Sequence, residues 1–180
     1  PCYIKRVHDT YGEKINICTV VGFPLGYSVT EAKAAETKKA LEDGASEVDM
    51  VVNISECEKR KLRWRYKAEI AALKKITGDK ILKVIIETCY LTEEEKIAMC
   101  KAVTAAGADY IKTSTGFGTA GATLEDIRLF RENIGPDVKM KAAGGVKTVA
   151  DMEAFLEAGC DRIGTSSAIQ LIQGEQTSGY

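Results

Sequence analysis

The chain has 180 residues, 45% of them hydrophobic, which is enough for one folded domain with its own core and too apolar for general disorder. Its 25 basic and 26 acidic residues leave a net charge of -1, which excludes a global attraction to nucleic acid or anionic membrane and makes any anion site a local one. Apolar runs are strand-sized and no charged segment followed by a hydrophobic one opens the chain, so the reading is a cytoplasmic protein without a membrane partner.

Pro1 to Ile4 reads as the end of a strand, and Tyr3 to about Lys14 as a short amphipathic helix closed by Gly12. NICTVVGFP (Asn16 to Pro24) is an apolar run of strand length that needs helices above and below it. The next segment predicts one: Ser28 caps it with Glu31, Ala32, Ala35 and Leu41 form its stripe, and Gly44 ends it. EVDMVVN (Glu47 to Asn53) is a strand, followed by a helix over roughly Glu56 to Thr77 with Leu62, Tyr66, Ile70 and Leu73 at helical spacing. The basic run Lys59 to Lys67 reads as a solvated outer face rather than a phosphate-binding surface, because its aromatics sit at core spacing.

ILKVIIET (Ile81 to Thr88) is a strand, and Thr92 with Glu95 opens a helix that Gly107 closes. YIKTSTGFG begins as a strand at Tyr110, Thr123 with Asp126 starts a helix that Pro136 breaks, and KMKAAGG (Lys139 to Gly145) is the next strand. Thr148 with Asp151 opens a helix ending at Gly159, and RIGTSS leads from a short strand into a last helix near Ala168 to Gln173. Helices ending in glycine alternate throughout with strands buried on both faces, which predicts an α/β fold, either a (β/α)8 barrel or a doubly wound sheet. Six cysteines with one histidine and no CxxC read as buried free thiols rather than a metal site.

Ionisable residues inside apolar strands are the exceptions that point to chemistry. They are Asp49, Lys83 with Glu87, Lys112 and Lys141, one set per consecutive strand, near the ends where barrel active sites lie. A lysine held in a strand loses hydration, which disfavours its charged form; a second ammonium beside it acts in the same direction. Lys141 beside Lys112 would thus free the Lys112 amine for attack on a carbonyl, with Asp49 balancing charge and moving protons. Lys83 and Glu87 read as a supporting ion pair on one strand face. The bland alternative for Lys112 is an edge-strand lysine turned to water. Glycine-rich loops follow the Lys112 strand at Gly116 and Gly118 and the Lys141 strand at Gly144-Gly145, and a third, Gly164 with Ser166 and Ser167, enters the final helix; in each, backbone N–H groups can approach a phosphate.

KTSTGFG, KAAGGV, EVDMVVN, LKVIIET and TVVGFPLG, taken in order, resemble the deoxyribose-phosphate aldolase family, class I aldolases built as (β/α)8 TIM barrels, and the likeness runs almost end to end. The resemblance implies reversible cleavage of 2-deoxy-D-ribose 5-phosphate to D-glyceraldehyde 3-phosphate and acetaldehyde, with no metal or organic cofactor, in a cytoplasmic homodimer. It carries the Schiff-base role to Lys112, the perturbing role to Lys141 and proton transfer to Asp49. It carries phosphate binding to Gly116, Gly144, Gly145, Gly164, Ser166 and Ser167. The family's first strand has no counterpart, so the expectation is a single barrel domain over 1–180 that is incomplete at its N-terminus. The rivals are another Schiff-base phosphosugar aldolase of the same fold and a non-catalytic phosphosugar-binding barrel.

Overall fold

The computed structural model describes residues 1–57 and 63–174. Six parallel strands, β1 (Cys18–Val21), β2 (Glu47–Val51), β3 (Ile81–Ile85), β4 (Tyr110–Lys112), β5 (Lys139–Ala143) and β6 (Arg162–Gly164), pair in strict chain order. A doubly wound sheet reverses its order at a switch point, and this one does not, so the barrel alternative is the one realised. Helices α1 (Ile4–Tyr11), α2 (Thr30–Glu42), α3 (Ile54–Cys57), α4 (Arg63–Thr77), α5 (Glu93–Ala105), α6 (Leu124–Asn133), α7 (Val149–Glu157) and α8 (Ala168–Ile172) complete the alternation.

Period-two patterning sorts the strands into two faces. Val48, Met50 and Val52, Leu82, Val84 and Ile86, Ile111, and Met140 and Ala142 pack with Tyr66, Ile70, Leu73, Val103, Ile127 and Phe130 from the helices into one apolar layer. The opposite parity, Glu47, Asp49, Lys83, Tyr110, Lys112, Lys141 and Arg162, faces the other way. In a flat sheet, β2 and β6 would lie about 19 Å apart, four strand spacings. Yet Arg162 on β6 reaches Glu47 on β2, so the sheet curls and its charged face is concave.

Phe130 is wholly buried in the apolar layer between the sheet and α6. Phe130→Ala should lower unfolding stability by about 3–5 kcal/mol, since the lost transfer energy and the cavity left behind add. Urea denaturation of both proteins reads the difference directly.

Local signals explain most helix ends. Thr92 accepts from the Glu95 N–H and Thr148 from the Asp151 N–H, with the acidic side chains returning the bond, and Thr123 accepts from Asp126. The same expectation fails at Ser28: α2 begins at Thr30 behind an extended Val29, with no side-chain cap. Its buried stripe is also shifted, to Lys33, Thr37 and Ala40, while Ala32 and Ala35 are exposed. The cause is Lys33, whose ammonium has somewhere to go: it donates to Val51 O at 2.9 Å and to Glu69 Oε2 at 3.0 Å, and its stem packs on Gly22.

Pro1 to Tyr3 form no strand, and Ile4 already belongs to a helix. The outer strands are only partly covered among the described residues: Cys18 is exposed and all of β6 is half-buried. Of the cysteines, Cys100 and Cys160 are buried, their thiols pushed up by burial to about 12 and about 11, but Cys2 and Cys18 are exposed. Lys59, Arg60, Lys61 and Leu62 lie outside the described residues; Lys67 is exposed.

Candidate active site

On the concave face, register brings the charged residues into adjacent rows, with Asp49 beside Lys83 and Lys112 beside Lys141. Asp49 is the node. One carboxylate oxygen accepts from Lys83 Nζ at 2.7 Å; the other accepts from both Lys112 Nζ at 2.9 Å and Lys141 Nζ at 3.1 Å. Because Lys112 and Lys141 share one oxygen, their nitrogens can be no farther apart than the sum of those two distances. Asp49 is 2% exposed and Lys112 8%, so the cluster is largely withdrawn from bulk water.

Burial alone would raise the Asp49 pKa, but Lys112, Lys141 and Lys83 outweigh it and hold the carboxyl well below the usual range. Lys83 goes the other way. Burial would lower it, yet Asp49 and Glu47 keep it firmly protonated. Lys112 falls below the ordinary lysine value because burial, aided by the Lys141 charge, overcomes the pull of Asp49. Thus two lysines on neighbouring strands, both salt-bridged to one carboxylate, are driven in opposite directions. Lys83 has a second carboxylate, Glu47, at 2.7 Å, whereas Lys112 has a like charge instead.

The expected Lys83–Glu87 pair does not form. β3 ends at Ile85, and the backbone turns left-handed at Glu87, which carries its carboxylate away from Lys83 and onto Thr115. Lys83 instead joins Asp49 and Glu47, and Glu47 continues to Arg162, whose guanidinium lies 5.3 Å from the Tyr110 ring centroid. Glu47 and Arg162 were not singled out from the sequence, although Glu47 stands two residues before Asp49 and so shares its face. Cys18 was also missed: its Sγ lies 3.2 Å from Asp49 Oδ1 and 3.3 Å from Lys83 Nζ, and partial burial of the sulfur with the Asp49 charge beside it raises the thiol pKa.

The glycine loops gather at the C-terminal ends of the strands. Gly144 and Gly145 both have positive φ, 75° and 74°, and a Cβ on Gly121 would collide with them, so the loop after β4 lies directly on the loop after β5. A Cβ on Gly144 would come 3.9 Å from Gly116 Cα. The third loop joins through Thr165, whose hydroxyl donates to Val146 O at 3.2 Å and accepts from Ser167 N at 3.1 Å. A Cβ on Gly164 would meet Lys141 Cε at 3.3 Å, which ties this loop to the lysine row, while Ser166 is exposed beside it. Above the concave face, Phe23 after β1 and Phe117 after β4 meet edge to face, with centroids 5.4 Å apart.

The arrangement supplies a desolvated amine, a fixed carboxylate and adjoining loops of exposed backbone, the parts needed to attack a carbonyl on a phosphorylated molecule. Comparison with known proteins points the same way. Residues 1–168 match the model of the DeoC/LacD family aldolases. A deoxyribose-phosphate aldolase of Clostridium botulinum (strain Alaska E43 / Type E3) is 71% identical over 99% of this chain and 80% of its own length. One from Clostridioides difficile (strain 630) is 57% identical over 100% of this chain and 82% of its own. Among solved structures, a putative deoxyribose-phosphate aldolase from Coccidioides immitis superposes with a TM-score of 0.91 at 35% identity, covering 97% of this chain and 70% of that one. The chain belongs to the DeoC/LacD family of aldolases.

Proposed function

We propose that this chain is a class I aldolase that reversibly cleaves 2-deoxy-D-ribose 5-phosphate to D-glyceraldehyde 3-phosphate and acetaldehyde through a Schiff base on Lys112. The observation that carries the reading is the Asp49 oxygen shared by Lys112 and Lys141 in a buried cluster. Four cationic side chains (Lys83, Lys112, Lys141, Arg162) face two carboxylates (Glu47, Asp49), so the group that releases a proton most readily is the one driven downward, Lys112.

In this reaction the neutral Lys112 amine adds to the C1 aldehyde of the open-chain sugar, giving a carbinolamine. Loss of water leaves an iminium. The C3 hydroxyl then gives up its proton, the C2–C3 bond breaks, and its electrons move into the iminium as an enamine while D-glyceraldehyde 3-phosphate departs. Protonation at C2 and hydrolysis release acetaldehyde and restore Lys112. Asp49 carries protons in these steps and keeps the cation row in place; Lys141 holds the Lys112 pKa down. Gly116, Gly144, Gly145, Gly164, Ser166 and Ser167 hold the phosphate, and the closeness of their three loops supports that assignment. The family expectation of a single-domain, cytoplasmic, dimeric catabolic enzyme belongs to the same proposal, and light scattering in solution tests the dimer.

Reduction with borohydride in the presence of acetaldehyde tests the chemistry. Mass spectrometry should find a stable ethyl adduct on Lys112, absent from Lys112→Arg. A protein that binds the phosphosugar but forms no adduct is a binding module. Turnover of a different phosphorylated aldol in preference to 2-deoxy-D-ribose 5-phosphate would retain the chemistry and reassign the substrate.

A further inference from the structure

Glu87 is a buried carboxylate, 1% exposed, that the proposed reaction does not use. It shares the parity of Lys83 and Ile85 and would continue along the concave face, but its backbone is left-handed, with φ 53° and ψ 68°. Among the described residues it is the only non-glycine with positive φ. An L side chain adopts that conformation at a cost, so surrounding contacts must hold it.

Those contacts all run to one place. Both Glu87 oxygens accept from the Thr115 N–H, at 3.2 and 3.3 Å, and one also accepts from the Thr115 hydroxyl. Thr115 Oγ1 accepts in turn from the Phe117 N–H at 3.0 Å. Gly118 lies so close that a Cβ there would sit 3.1 Å from Glu87 Cδ and 2.7 Å from Cys89 Sγ. One residue on, Thr88 N donates to Thr113 O at 3.0 Å. The segment 87–89 thus fastens the chain from Thr113 to Gly118, the stretch that leaves Lys112, carries Gly116 and presents Phe117 to Phe23. Among the described residues no cation forms an ion pair with Glu87, and a buried carboxylate whose charge-assisted bonds go to one loop contributes to the geometry of that loop more than to net charge balance.

We infer that Glu87 is a positioning residue that sets the loop after β4 for the substrate phosphate, so that preference for a phosphorylated over an unphosphorylated ligand depends on it. The inference rests on the aldolase reading for the identity of the substrate. A merely structural role would impair all ligands alike.

The test compares wild type with Glu87→Ala and with Thr115→Val, which removes the hydroxyl part of the same clasp from the loop side, keeps the Thr115 N–H bonds and leaves the strained backbone untouched. KM is measured for 2-deoxy-D-ribose 5-phosphate and for 2-deoxy-D-ribose, and calorimetry gives the Kd of D-glyceraldehyde 3-phosphate. Loss of a charge-assisted bond predicts a KM and Kd for the phosphorylated compounds roughly tenfold weaker in Glu87→Ala and about threefold weaker in Thr115→Val. The unphosphorylated sugar should keep its kcat/KM within about twofold, and acetaldehyde trapping on Lys112 should be unchanged. Equal losses on both sugars, or a Kd that does not move, overturns the inference. Wild-type protein that binds D-glyceraldehyde 3-phosphate but neither traps acetaldehyde nor cleaves the sugar overturns the aldolase reading instead, and the Kd comparison still decides the role of Glu87.

Discussion

Asp49→Asn is expected to lower kcat by roughly 10²–10⁴-fold, the range for a positioned proton-transfer group, while leaving acetaldehyde trapping on Lys112 intact at long incubation. The two readouts separate because Asp49 raises the Lys112 pKa, so its removal lets the amine lose its proton more easily, not less. What disappears is the carboxylate that moves protons during dehydration and bond cleavage. Stability should fall too. Breaking a buried pair typically costs about 3–5 kcal/mol, and the retained Glu47 contact of Lys83 places this case at the lower end. The pH dependence has a definite sign. The folded-state pKa of Asp49 is depressed, so its contribution is fully present above the ordinary carboxylate value of about 3.9 and is lost as pH falls through the folded value. The stability gap between wild type and variant should therefore be constant near neutrality and narrow below about pH 4. Turnover within about twofold of wild type would remove Asp49 from the reaction.

Much of this site was legible in the chain because strand parity is strict. Asp49, Lys83, Lys112 and Lys141 interrupt apolar strands, and the register that aligns β2 with β3 and β4 with β5 puts them on one face. Helix starts at Thr92, Thr123 and Thr148 were legible for a local reason, since a cap needs only residues three positions apart. What depended on tertiary placement was not. Lys33 looks like a solvent lysine in an amphipathic helix until the Val51 carbonyl and Glu69 meet it. Lys83 and Glu87 have the spacing of a strand-face pair, and only the left-handed turn at Glu87 separates them. Glu47 meets Arg162 through the curl of the sheet, a contact 115 residues apart in sequence that no local pattern encodes.

Lys141→Leu tests the electrostatic half of the mechanism, and its signature is a displaced pH profile. Burial is the largest influence lowering the Lys112 pKa, Asp49 opposes it, and Lys141 adds to the lowering. A like charge within roughly 6 Å, the limit set by the shared Asp49 oxygen, repels an ammonium at Lys112 and so favours its neutral form. Removing it should raise the Lys112 pKa and shrink the neutral-amine fraction near pH 7, so kcat/KM at that pH should fall by roughly tenfold or more. The acid limb of kcat/KM should move upward correspondingly, with much of the lost rate returning as pH approaches the ordinary lysine value of about 10.4. Lys141→Arg supplies the control: it keeps the charge, so the limb should stay where it is even if the longer side chain, crowded by Gly164, lowers kcat. If the limb stays in place for Lys141→Leu as well, burial alone lowers the Lys112 pKa, and the neighbouring ammonium has no part in freeing the amine.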